Sequence, residues 1–203
     1  MTPSDWVRGT CGSFGWLWLT DFHCGQHGQR WLWPVWQEEF FRDVERVHAQ
    51  SGPWDVVLFT GDLVFSGQPA EFDALTAMLD RLQNWLAEKQ SSVPCFLSVP
   101  GNHDLKRPNR DSVPSAALRN YWGDPSIQGA FWGGASNAYR RLVTRAFRSY
   151  TDWSERCTFP RPSEYCRGIL PGDFSATITQ GDAKLGIVGL NTAFLQLEVD
   201  PIV

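Results

Sequence analysis

Asp21 and His23 stand two positions apart in LTDFHCG, Asp62 follows a glycine in FTGDLVFSG, and VPGNHD sets Asn102, His103 and Asp104 side by side. A turn could use Asn102 alone, because asparagine tolerates the left-handed region and bonds its own backbone. That leaves the neighbouring imidazole and carboxylate unexplained. Carboxylates, imidazoles and an amide oxygen are ligands for borderline divalent cations, and these stretches carry enough of them to hold two ions with one aspartate bridging. The five cysteines form no C-x-x-C pair, which argues against a thiolate zinc site. Each motif alone is weak, since Gly-Asp is a common turn and D-x-H arises often by chance. Their recurrence at three consecutive predicted strand ends points to a metal site.

The elements that must position these residues follow from periodicity. Residues 14–20 read as a strand ending at Asp21, WDVVLFT as a strand buried on both faces and ending at Gly61-Asp62, and CFLSV as a third strand ending at Pro100-Gly101. Between them, Trp36, Phe40, Val44 and Val47 mark a helix over 35–50, and Phe72, Leu75, Leu79, Leu82 and Leu86 mark another over 70–89. Strand and helix alternate, as α/β architecture with right-handed parallel connections requires, and ligands then belong at the strand C-termini. In an extended chain, Asp21 and His23 point to one side and can reach one ion. Gly61 and Gly101 let the backbone turn close to the cluster.

From Leu105 to about Pro171 the alternation lapses into turn formers, interrupted by one helix over Tyr139–Trp153 whose arginines fall between apolar positions; this stretch reads as an irregular insertion. It holds 11 Lys/Arg against 5 Asp/Glu up to Leu170, although the whole chain carries a formal charge of −4. The excess could attract an anionic partner such as a nucleotide or nucleic acid, and a solvated helix face explains it equally. FSATITQGDAKLGIVGLN then reads as two strands joined at Gly181-Asp182. The apolar run WLWL is too short for a signal peptide or a membrane span, so a cytoplasmic chain with no membrane partner is expected. Reduced thiols are the simpler expectation, with Cys157 and Cys166 able to meet across a loop.

LTDFHCG, FTGDLVFSG and VPGNHD, in that order, resemble the first three sequence blocks of the calcineurin-like metallophosphoesterases. The resemblance spans about residues 14–104 and, more loosely, GIVGLNTA. It implies an α/β fold, a two-layered β-sandwich flanked by helices, with a dinuclear centre at one edge. Asp21 and His23 would bind the first ion, Asp62 would bridge, and Asn102 would bind the second. His103 would face the substrate as acid or phosphate contact, and Asp104 would orient it. The resemblance further implies a phosphoester substrate and two divalent ions among Mn²⁺, Fe, Zn²⁺ or Ni²⁺.

The later histidine blocks of that family have no counterpart: the histidines are His23, His27, His48 and His103. Residues 1–203 are therefore expected to be the N-terminal portion of a single domain truncated at its C-terminus, the rest coming from the same or a partner polypeptide. His27 is expected to be a solvated loop residue, His48 a helix-end residue, and Ser66 a turn residue with possible reach to substrate. Three classes of function remain distinct at this stage: a phosphodiesterase or nuclease, a catalytically incomplete binding or effector module of the same fold, and a purely structural α/β domain.

Overall fold

The run VVLFT has apolar side chains pointing both ways, and in the computed structural model, which describes residues 13–26, 33–134 and 137–198, it forms the central strand β2, Val56–Thr60. Strand β1, Trp16–Leu19, and strand β3, Cys95–Val99, pair with it in parallel on either side, with Leu17 opposite Val57 and Val57 opposite Phe96. The connections are helix α1, Trp33–Ser51, and helix α2, Pro69–Lys89. Leu17, Val57, Phe59 and Phe96 pack against the apolar faces of both helices, including Phe41, Val44, Leu75 and Leu79. Helix α2 starts at a Gln68 cap closed by Glu71, with Pro69 in the first turn. At its far end the Gln90 amide donates to Trp54 O at 2.8 Å and accepts from Trp54 N–H at 3.2 Å, tying the helix end to the start of β2.

The opposite sheet face is covered by an antiparallel sheet of β4, Glu164–Arg167, β5, Phe174–Gln180, and β6, Ala183–Gly189. Gly181, at φ +57°, and Asp182 close the β5–β6 hairpin as the sequence predicts. Phe174, Ala176 and Ile178 alternate inward onto Val56 and Leu97. The layers are helices, parallel sheet and antiparallel sheet, which is the α/β sandwich expected for the resemblance.

The stretch from 105 to 171 is more regular than its composition suggests. It contains α3, Val113–Leu118, α4, Pro125–Trp132, α5, Ala138–Ala146, and α6, Arg148–Arg156, where the sequence reading has a single helix. Ser112, Asp124 and Asn137, which read as turn formers, accept bonds from the first turns of α3, α4 and α5. The basic helix is broken at Phe147, whose φ of −91° and ψ of 15° leave the helical region. That break lets α5 pack Val143 into a core with Leu118, Tyr121 and Phe131 while α6 turns Tyr150 and Trp153 toward α2 and β3. Trp153 stacks on Phe72 at 5.4 Å, and Tyr150 Oη donates to Ser98 O at 2.9 Å. Cys157 and Cys166 are free thiols, so the bridge raised as an option from sequence does not form. No helix among the described residues is long and apolar enough to cross a membrane.

Because Phe72 is fully buried and joins α2 to α6, Phe72→Ala is expected to cost about 3–5 kcal/mol, a large share of a domain's stability. Urea unfolding followed by Trp fluorescence measures it.

Candidate metal centre

Parallel pairing does not stop where β1 and β2 end. Asp21 N–H donates to Gly61 O at 3.2 Å, His23 N–H to Asp62 O at 2.9 Å, Cys24 N–H to Leu63 O at 3.0 Å, and Phe65 N–H to Cys24 O at 3.1 Å. The two loops are thereby zipped to each other. Asp21, His23 and Asp62 have φ of 57°, 45° and 53°, and they are the non-glycine residues with positive φ among the described residues. Each such conformation costs on the order of 1–3 kcal/mol and persists only where the surroundings impose it. The sequence reading places Asp21 and His23 on one side through an extended backbone; left-handed turns do this instead, and His23 Nε2 lies 3.8 Å from Asp21 Oδ1.

The third loop is pinned to the second by two carboxylates. Asp62 Oδ1 accepts the His103 N–H at 3.0 Å. Asp104, fully buried, accepts the Val64 N–H through Oδ1 at 2.9 Å and the Gly101 N–H through Oδ2 at 2.8 Å. Burial pushes the Asp104 carboxyl up from its usual 3.8 to about 7, against the pull of those backbone donors and with a smaller push from Asp62. With the folded value raised, the proton favours the folded state, so the stability linked to this group is full below pH 3.8 and is lost as pH rises through about 7.

The His103 ring itself is held by a backbone carbonyl. The imidazole Nδ1 lies 2.8 Å from the carbonyl of Phe65, and a carbonyl only accepts, so Nδ1 carries the proton and Nε2 is left for the site. Asp104 instead acts on the loop backbone. A main-chain acceptor such as Phe65 O leaves no trace in side-chain patterns, which is why sequence reasoning missed it.

Ligand atoms of His23, Asp62 and His103 all lie within 4.8 Å of one another, with the His23 and His103 rings perpendicular at 4.6 Å. His23 Nδ1 is buried without a hydrogen-bond partner. A lone pair or N–H held there unpaired is costly in a folded protein unless something else satisfies it, and a nitrogen-and-oxygen donor set of this kind suits a borderline divalent cation. Asp21 is exposed at the rim beside His23, and half-buried Asn102 lies between Gly101 and His103 on the third loop. His27 lies outside the described residues. His48 packs edge-on against Trp54 and Trp85 and shares a bond with Gln90, which is a structural role. Ser66 is engaged by Glu71 through both its N–H and its hydroxyl.

The close approach of the loops needs glycine at 101, where an added Cβ would overlap Asp62 Oδ1 and the Asp62 N–H. Gly101→Ala is therefore expected to retain the folded circular-dichroism spectrum while losing at least about 10-fold in Mn²⁺ affinity by calorimetric titration, the scale seen when groups supporting a metal ligand are disturbed.

The family model for calcineurin-like phosphoesterase matches residues 17–164. No curated protein and no solved structure matches the chain. The family match begins in β1 and ends at the first residue of β4, so it takes in all three loops described above. On that match the chain belongs to the calcineurin-like phosphoesterase family, whose members bind divalent metals and act on phosphoesters.

Proposed function

We propose that the chain carries the catalytic centre of a metal-dependent phosphodiesterase acting on a nucleotide or nucleic-acid phosphodiester. One observation supports this most: His23, Asp62 and His103, from three separate loops, bring their ligand atoms within 4.8 Å of one another. In this reading Asp21, His23 and Asp62 would hold one divalent ion, and Asp62 with Asn102 a second. Mn²⁺, Fe, Zn²⁺ and Ni²⁺ all suit such a donor set. The residues named would hold divalent ions whose chemistry, when bound, would be charge toward the phosphoryl oxygens and activation of water.

The protein's own groups do the rest. His103, held through Nδ1 by Phe65 O, presents Nε2 to the leaving oxygen and in its cationic form donates the proton that oxygen needs. Asp104 keeps the Gly101–His103 backbone against the second loop through its two accepted bonds. Among the arginines of the 105–171 stretch, Arg110 and Arg119 both pair with Glu198, which lies outside the stretch, so part of the basic excess is neutralised on the surface. That favours a compact phosphodiester over tight binding of a long duplex, which requires many phosphate contacts. Ligands beyond these would be supplied by another segment of the same or a partner polypeptide, and the second ion, with two protein ligands in hand, would be the weaker.

The expected outcome is Mn²⁺-dependent hydrolysis of an aryl phosphodiester, reduced at least about 100-fold in Asp62→Asn, the loss expected when charge at the developing transition state is removed. Unchanged turnover in that variant would contradict the role of Asp62. His103→Ala is expected to lower turnover by about 100-fold while elemental analysis finds the metal content close to wild type. Parallel loss of both would make His103 a ligand instead. Tight metal binding without turnover in the presence of every ligand would favour the incomplete binding module.

A further inference from the structure

Glu71 belongs to none of the three motifs, yet it touches two of the loops that carry them. Its Oε2 accepts the N–H groups of Ser66 and Gln68, each at 3.0 Å, and its Oε1 accepts the Ser66 hydroxyl at 2.7 Å. The bond to Gln68 completes the cap of α2, but the two bonds to Ser66 are more than a cap requires. The same side chain lies against the first loop, where a Cβ at Gly25, φ +95°, would come within 2.6 Å of Glu71 Cγ.

Ser66 N–H and Phe65 C=O belong to one peptide unit. That unit is planar and trans, so its N–H and C=O point in opposite directions. Glu71 takes the N–H, and the carbonyl is thereby aimed at His103 Nδ1, 2.8 Å away. If the peptide turned over, an N–H would face Nδ1, and the ring would have to move its proton to Nε2. We propose that Glu71 is a positioning residue: by holding the Phe65–Ser66 peptide in one orientation, it fixes His103 as the Nδ1–H tautomer and keeps Nε2 available to the substrate. The inference rests on the assignment of His103 to the leaving oxygen, but it can be tested on the imidazole itself, so an inactive chain still reports on Glu71.

The test uses the full chain labelled with ¹⁵N-histidine, without metal, and long-range proton–nitrogen correlation of the His103 ring. Wild type is expected to show the Nδ1–H tautomer. Glu71→Gln should match it, since the amide oxygen can accept both N–H bonds and the amide nitrogen can donate to the Ser66 hydroxyl. Glu71→Ala, and Glu71→Asp, whose shorter side chain keeps its charge but withdraws from Ser66, should lose the single-tautomer signal. Their Mn²⁺-dependent turnover should fall about 10-fold to 100-fold with metal content unchanged. Leu86→Ala, which weakens the buried far end of the same helix, should leave the tautomer as in wild type. Should Glu71→Ala fail to fold, Glu71→Asp carries the test alone. A retained Nδ1–H signal in Glu71→Asp, or an equal disturbance by Leu86→Ala, overturns the proposal.

Discussion

The site depends on the backbone hydrogen bonds that continue between the first two loops after β1 and β2 have ended. Asp21 N–H to Gly61 O and His23 N–H to Asp62 O hold three residues in left-handed conformations they would not keep alone. At about 1–3 kcal/mol apiece the strain is comparable with several ordinary net hydrogen bonds, so the surrounding fold must outweigh it. It does so through a central strand whose Val56 and Val57 are fully buried between helices on one face and an antiparallel sheet on the other. The stiff sheet fixes where the loops begin, and the ladder fixes how they turn.

The third loop has no comparable ladder to the second, and acceptors replace it. Asp104 takes the Val64 and Gly101 N–H groups, Asp62 takes that of His103, and Phe65 O takes the ring proton of His103. Three loops thus become one body, with donor atoms of His23, Asp62 and His103 within 4.8 Å of one another. The arrangement also gives two acidic residues of the motifs different surroundings. Asp62 is half-buried beside His23 and His103, whereas Asp104 is withdrawn into the interior, where its work is on the backbone.

Much of this was legible in the sequence, because metal-site chemistry and strand ends leave marks in side-chain type. β3 occupies the predicted residues 95–99, and the helices agree with their apolar stripes to within two residues at each end. α3 and α4 were hidden for a physical reason: Ser112, Asp124, Pro114 and Pro125 are turn formers and equally the residues that begin helices. β4, EYCR, is a short edge strand with one neighbour and little burial, so it carries no periodic pattern to read. The proximity of Asp21, His23 and Asp62 was legible, but its cause was not. Left-handed turns at non-glycine residues follow from tertiary bonds, and the role of Phe65 rests on a carbonyl that every residue possesses.

On the proposed reading, Asp62 would be shared by two cation sites built from neighbouring loops. Electron paramagnetic resonance of the chain titrated with Mn²⁺ tests it most directly. An isolated-ion spectrum is expected at low loading, replaced at high loading by the signal of a spin-coupled pair that Asp62→Asn eliminates. A second ion that never couples to the first, or coupling that survives Asp62→Asn, would contradict it.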